Sequence, residues 1–165
     1  MTTERGQDAQ VVLSPIQQGD AGEVLTLQRA AFVSEAAIYG SPDMPPLVQT
    51  LDELRAELRE ADGWVARIGP RIVGAIRTRE SDGVLLIGRI VIAPDVQGSG
   101  IGGMLLAAAE EHSDAAEAEL FTGSLSEANI RLYERHGYAQ TERVDQGDGT
   151  EQVFMRKRLR PSPAG

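Results

Sequence analysis

Between Trp64 and Ile92 the apolar pattern leaves helical spacing for the short apolar runs of strands, and only two short turns interrupt it. The stretches "WVARIG", "RIVGAIRTRE" and "GVLLIGRIVI" read as consecutive strands, separated by Gly69-Pro70 and by Ser81-Asp82-Gly83. Connections this short force antiparallel pairing, because a parallel pair needs a crossover long enough to hold a helix. The last of these strands runs into "APDVQGSGIGG" and then into an apolar helical stretch, "GGMLLAAAEEHSDAA". A chain that builds an antiparallel meander and then crosses over through a helix is a mixed α/β chain.

The flanks extend this order. "QVVLSPI" reads as a strand ended by Pro15, and "GDAGEVLTLQRAAFVSEAAIYG" as a helix with Asp20 at its N-cap. "SPDMPP" reads as a loop, since prolines interrupt helices. "TLDELRAELREADG" reads as a second helix, with a Thr50–Glu53 capping box and Gly63 at its end. Beyond the apolar helix come a strand, "AELFTGSL", and a helix, "SEANIRLYERHG", capped by Gly137. Two strands, "YAQTERVD" and "TEQVFMRKRL", close the chain. The predicted order is β-α-α-β-β-β-α-β-α-β-β. It forms a single domain over 10–159, with flexible ends at 1–9 and 160–165.

Composition removes several function classes. The chain has 165 residues and no cysteine, so thiol nucleophiles, disulfides and thiolate metal sites are excluded. Two scattered histidines, His112 and His136, argue against a metal centre. A formal net charge of -9 opposes nucleic-acid binding, which needs a positive footprint. The polar N-terminus lacks the apolar core of a signal peptide, and no apolar run approaches the roughly 20 residues of a membrane span. The expectation is a cytoplasmic protein with no nucleic-acid or membrane partner, and a homodimer is left open.

The glycine loop carries the chemistry. Glycines allow sharp turns and close approach of a ligand to the backbone. The helix that follows directs its free N–H groups and positive dipole end at the same spot, which favours an anion such as a phosphate. A P-loop needs Lys and then Ser or Thr after its last Gly, whereas Gly103 and Met104 follow Gly102. Gly98, Gly100 and Gly103 satisfy the dinucleotide pattern G-x-G-x-x-G, with Glu119 about 20 residues on. That pattern belongs after the first strand of a parallel series, and here antiparallel strands precede it.

"IVIAPDVQGSGIGGMLL" closely resembles the acyl-CoA-binding segment of the GNAT acyltransferase superfamily. The family's Gln/Arg-x-x-Gly-x-Gly/Ala pattern reads here as Gln97-x-x-Gly100-x-Gly102, after Ile92-Ala93-Pro94. A second block, "EANIRLYERHGY", is similar to the family segment that holds Asn129, Tyr133, Gly137 and Tyr138. The resemblance spans roughly residues 10 to 159 and implies a GNAT-like fold with splayed fourth and fifth strands. It implies an N-acetyltransferase with acetyl-CoA as co-substrate and an amine acceptor. Gln97, Gly98, Ser99, Gly100, Ile101, Gly102 and Gly103 would meet the pyrophosphate, Ile90 and Ile92 the pantetheine, and Asn129 would help hold the cofactor. A backbone N–H near Ile92 would stabilise the oxyanion, and Tyr133 would donate a proton to the departing thiolate.

One departure stands out. Many family members carry a carboxylate base on the fourth strand, but Val84 to Ile92 holds no Asp, Glu or His. Glu35, Tyr39, Glu80 or water are the remaining candidates. The acceptor is open too: the acidic surface suits a cationic amine, while Arg77, Arg79 or Arg89 suit an acceptor bearing a carboxylate. A non-catalytic acyl-CoA sensor would keep the loop without needing Tyr133.

Overall fold

The computed structural model describes residues 10–160. The elements run β1 Val11–Pro15, α1 Ala21–Tyr39, α2 Pro45–Val48, α3 Leu51–Leu58, β2 Asp62–Ile68, β3 Arg71–Ser81 and β4 Val84–Ile92. They continue with α4 Ile101–Glu111, β5 Glu117–Gly123, α5 Glu127–Arg135, β6 Ala139–Asp145 and β7 Glu151–Arg158. One 7-stranded mixed sheet holds all the strands, in the order β1-β2-β3-β4-β5-β7-β6. The antiparallel meander is present as β2, β3 and β4, and β4 and β5 form a parallel pair. The mixed α/β architecture expected from the sequence is thus the one observed, with one further short helix, α2.

Local details differ where packing overrides pattern. The Thr50 capping box forms: the Glu53 N–H donates to Thr50 Oγ1 and the Thr50 N–H donates to Glu53 Oε1. Gly63 does not end α3. It lies buried in β2, where a Cβ would strike the Ile76 carbonyl oxygen, so backbone approach explains the glycine. The expected "SPDMPP" loop gives way at Pro45 to the short helix α2, which starts on proline, the residue best tolerated in a first helical turn. Asp20 occupies the N-cap position of α1 without capping it. Its carboxylate instead accepts from the Gln17 N–H and pairs with Arg67 at 2.5 Å. The flexible ends expected at 1–9 and 160–165 lie outside the described residues except for Arg160, whose N–H donates to the Ala116 carbonyl.

The helices cover opposite faces of the sheet. Gly74 of β3 faces Ile101 and Leu105 of α4, whereas Arg77, on the other side of the same strand, meets Glu57 of α3. Leu54 of α3 and Leu105 and Leu106 of α4 are fully buried. Each contributes about 1.5–3 kcal/mol through burial. The apolar core therefore sits on both sides of β2–β4 and leaves the β5–β7–β6 half less covered on the α3 side. There Phe121 of β5 is exposed.

Candidate active site

The parallel ladder between β4 and β5 is short. It joins Val84 to Glu117, Leu85 to Ala118 and Leu86 to Glu119, and then stops. From Ile87 onward the β4 edge facing β5 carries no ladder, while β5 stays paired to β7 along its whole length. A fork therefore opens between the two central strands, as the resemblance implied. A bulge lies beside it. Ala75 pairs with Val91 but Arg77 pairs with Gly88, so β4 has one residue too many between them. Arg89 absorbs the excess with φ 51, a conformation few side chains adopt. The apolar runs of "GVLLIGRIVI" give no sign of this kink.

Beyond the fork, the chain leaves β4 through a 3₁₀ turn at Pro94–Val96 and enters the glycine loop. Arg71 anchors the turn through a two-pronged pair with Asp95 at 2.6 and 2.7 Å. The loop is held by its own contacts: Gln97 Nε2 donates to the Ile92 carbonyl at 3.4 Å, and Ser99 Oγ donates to the Val96 carbonyl at 2.5 Å. Gly98 and Gly100 take φ values of 81 and 88, and a Cβ on either would meet nothing within 4 Å. Among the described residues, no protein acceptor binds the N–H groups of Gln97 through Gly103; the first helical bond of α4 runs from the Met104 N–H to the Gly100 carbonyl. This row of free donors, bare of side chains and closed by a helix N-terminus, fits a pyrophosphate.

Gly102 and Gly103 serve a second purpose. A Cβ on Gly102 would press on Leu132, and one on Gly103 would strike the His136 ring. The missing side chains let α4 close against α5 and set the loop beside the helix that carries Asn129 and Tyr133. Ile92 likewise turns its side chain toward α4, next to Gly74, while Ile90 packs partly buried on the core.

Tyr133 is 7% exposed and packs edge-on to Tyr138, ring centroids 6.3 Å apart. Its hydroxyl has no hydrogen-bond partner among the described residues. Burial first, and the nearby Glu35 carboxylate second, push the phenol well above its ordinary value near 10, so it stays protonated through the neutral range. Asn129, one turn earlier, directs Nδ2 toward Glu35 Oε1 at 3.5 Å.

The acid–base candidates separate cleanly. Glu80 hydrogen-bonds Ser113 beside the C-terminal end of α4 and lines a different cleft, with Trp64 and His112. It points away from the fork, and the expectation that it could reach the acceptor is corrected. Glu35 and Tyr39 form a directed relay with Ser126, a buried residue that the sequence reading passed over. Ser126 Oγ–H donates to Glu35 at 2.6 Å, which leaves Tyr39 O–H to donate to Ser126 at 2.7 Å. Tyr39 in turn accepts from the Leu125 N–H at 3.1 Å. The relay fastens the end of α1 to the β5–α5 junction. Gly123 makes room for it, since a Cβ there would overlap the Tyr39 hydroxyl. A glycine inside a predicted strand was the available sign of that close approach.

A stability prediction follows from this contact. Gly123→Ala is expected to cost about 1–3 kcal/mol, the usual range for overpacking, seen as a lower Tm. In a Tyr39→Phe background, which lacks the obstructing hydroxyl, the same substitution should cost clearly less. Equal costs in both backgrounds would show that the contact does not set the spacing.

Among the described residues no helix is long and apolar enough to cross a membrane, and no group of three or more His, Cys, Asp or Glu side chains is placed to hold a metal ion.

Residues 44–159 match the model of a family described as an acetyltransferase (GNAT) domain. The chain belongs to the GNAT acetyltransferase family. It is 28% identical over 130 residues to the UPF0157 protein YqkA of Bacillus subtilis, covering 78% of this chain and 37% of that protein. The GNAT chain thus spans just over a third of that relative's length. It is 27% identical over 108 residues to the uncharacterized N-acetyltransferase YjcF of the same organism, covering 66% of this chain and 75% of YjcF. Its fold is shared with the PaiA N-acetyltransferase of Thermoplasma acidophilum, solved in complex with coenzyme A. The TM-score is 0.74 and the identity 16%, over 90% of this chain and 99% of that one.

Proposed function

We propose that this GNAT protein transfers an acetyl group from acetyl-CoA directly to a primary amine of a small molecule or peptide. The observation that carries the reading is the row of free backbone donors from Gln97 to Gly103, set on a loop whose glycines leave open space. It lies beside a fork between β4 and β5 in which an extended ligand arm can pair with the unladdered β4 edge. PaiA, with the same fold, is seen with coenzyme A.

Bound acetyl-CoA supplies an activated thioester. Its pyrophosphate is taken by the Gln97–Gly103 N–H groups, with Gln97, Ser99 and Ile101 shaping the loop around it. Its pantetheine arm runs along Ile90 and Ile92, and Asn129 closes the site from α5. The amine lone pair forms the new C–N bond as the C–S bond breaks. A β4 N–H near Ile92, next to the bulge, steadies the carbonyl oxygen while it gains charge. Tyr133 gives its phenolic proton to the leaving sulfur and is reprotonated from solvent. The proton lost by the amine passes to bulk water.

Titration calorimetry tests the binding half of this reading. Acetyl-CoA is expected to bind and NAD to give no heat; NAD binding without acetyl-CoA binding would replace the reading with a dinucleotide site.

The proton balance yields a pH prediction. An alkylamine with a pKa near 10.4 is almost wholly protonated at neutral pH and attacks only after losing that proton. No carboxylate lies on β4, and water leading to bulk takes the proton, with Glu35 as an assisting rather than an indispensable group. kcat/KM should therefore rise toward alkaline pH, and the rise should move to lower pH with a less basic amine. Glu35→Gln should cost less than Tyr133→Phe, and Glu80→Gln should leave the profile unchanged. One inflection shared by amines of different pKa and erased by Glu35→Gln would reveal a dedicated base.

A further inference from the structure

A cleft of about 420 Å3 opens where β4 and β5 part, on the α3 side of the sheet. That volume falls in the range of roughly 300–1,000 Å3 usual for small-ligand sites. Its cationic wall is unusual for a chain of net charge -9. Arg77, Arg79 and Arg89 line it, against two carboxylates, Glu57 and Glu119. Glu119 is already engaged by Arg156 at 2.7 Å, and Glu57 pairs with Arg77. That leaves the guanidinium charges of Arg89 and Arg79 unbalanced.

The unmet donors are specific. The Arg77 side chain is 3% exposed, yet its Nη1 is buried without a partner, and so is Nε of the half-buried Arg89. The other contact of Arg77, from Nη2 to Gln49 Oε1, is long at 3.5 Å. Burial, with the like charge of Arg89 adding to it, pushes Arg77 down to about 10. Buried guanidinium N–H groups are costly to leave unpaired, and a carboxylate is the acceptor whose geometry matches them. Arg77 stands opposite Gly88 in the β3–β4 ladder, beside the bulge and just past the last β4–β5 pair at Leu86 and Glu119. The cations thus flank the mouth of the fork. Across the cleft, the rings of Phe121 and Phe154 pack at a tilt with centroids 5.4 Å apart, and Phe121 is 56% exposed.

We propose that the acceptor is a small α-amino acid with an apolar or aromatic side chain, its carboxylate held by Arg77 and Arg89 and its side chain lying on Phe121 and Phe154. The inference rests on the acetyl-transfer reading, because the fork must bring the thioester to this cleft. Arg77 stands opposite Gly88, two residues past the last β4–β5 pair, and this placement beside the fork favours an amine and a carboxylate on one carbon over groups at the ends of a long chain.

The test uses leucine, methionine and phenylalanine, each as the free amino acid, its amide and its decarboxylated amine, with acetyl-CoA and a thiol readout. In at least one series the acid should exceed its amide in kcat/KM by about 10- to 100-fold, mostly through KM, as expected for one charge-assisted hydrogen bond pair. Arg89→Gln should shrink that ratio to within about threefold, with the acetyl-CoA Kd unchanged. Arg77→Gln should do the same if it folds; Arg89→Gln decides the matter if it does not. Acetyl-CoA binding together with amides or plain amines acetylated as well as acids would overturn this inference and leave the acetyl-transfer reading intact. An acid preference that survives Arg89→Gln would overturn it too. Failure to bind acetyl-CoA at all would overturn both.

Discussion

Gly100→Val is expected to abolish acetyl-CoA binding, weakening it by about 100-fold or more, since two or more hydrogen bonds to a charged group are lost. Two effects act together. At φ 88 a β-branched residue is strained, so the loop shifts and the free N–H groups no longer converge. The new side chain also enters space that no protein atom occupies within 4 Å, which is the space the pyrophosphate needs. Gly83→Val is the control. Gly83 also has a positive φ, 77, with open surroundings, but it lies in the β3–β4 turn at the far end of β4 from the loop. It should lose comparable stability and keep its acetyl-CoA affinity. Equal affinity in Gly100→Val and wild type would mean that the loop is not the phosphate site.

Tyr133→Phe should lower kcat by about 10- to 1,000-fold, at and below the usual contribution of one proton-transfer group. The lower end is natural because a thiolate leaves readily even without help. The hydroxyl makes no hydrogen bond to the described residues, so its removal should leave Tm and acetyl-CoA affinity nearly unchanged. That separation distinguishes a donor from a packing residue, which would move Tm instead. The phenol is held well above its usual value by burial and by Glu35. It therefore stays protonated as pH rises through neutrality, and its own ionisation should not limit the rate there. An unaltered kcat, with chemistry shown to be rate-limiting, would reduce Tyr133 to the aromatic packing it shares with Tyr138.

The elements with strong local grammar were legible in the sequence. Turns at Gly69-Pro70 and Ser81-Asp82-Gly83 fixed the meander, Thr50 and Glu53 fixed the start of α3, and the loop glycines marked the bare loop that leads into α4. What stayed hidden depends on contacts between residues far apart in the chain. Gly63 reads as a helix cap and Gly123 is simply part of a strand, but each is small because another element presses on it. Ser126 gains meaning only when α1 brings Glu35 and Tyr39 to it. Arg77 reads as an ordinary strand arginine until α3 covers it with Glu57 and the β4 bulge places Arg89 beside it. Periodicity reports which face a residue takes; it cannot report a bulge or what that face meets.

The central claim is direct acetyl transfer at the fork between β4 and β5. It is tested most directly by incubating the protein with acetyl-CoA and an amine panel, and following free thiol and N-acetylated product in the same tube. The account predicts equal amounts of both, dependent on amine and saturating in acetyl-CoA. Acetyl-CoA that binds with no thiol released for any amine would contradict it and show an acyl-CoA sensor instead.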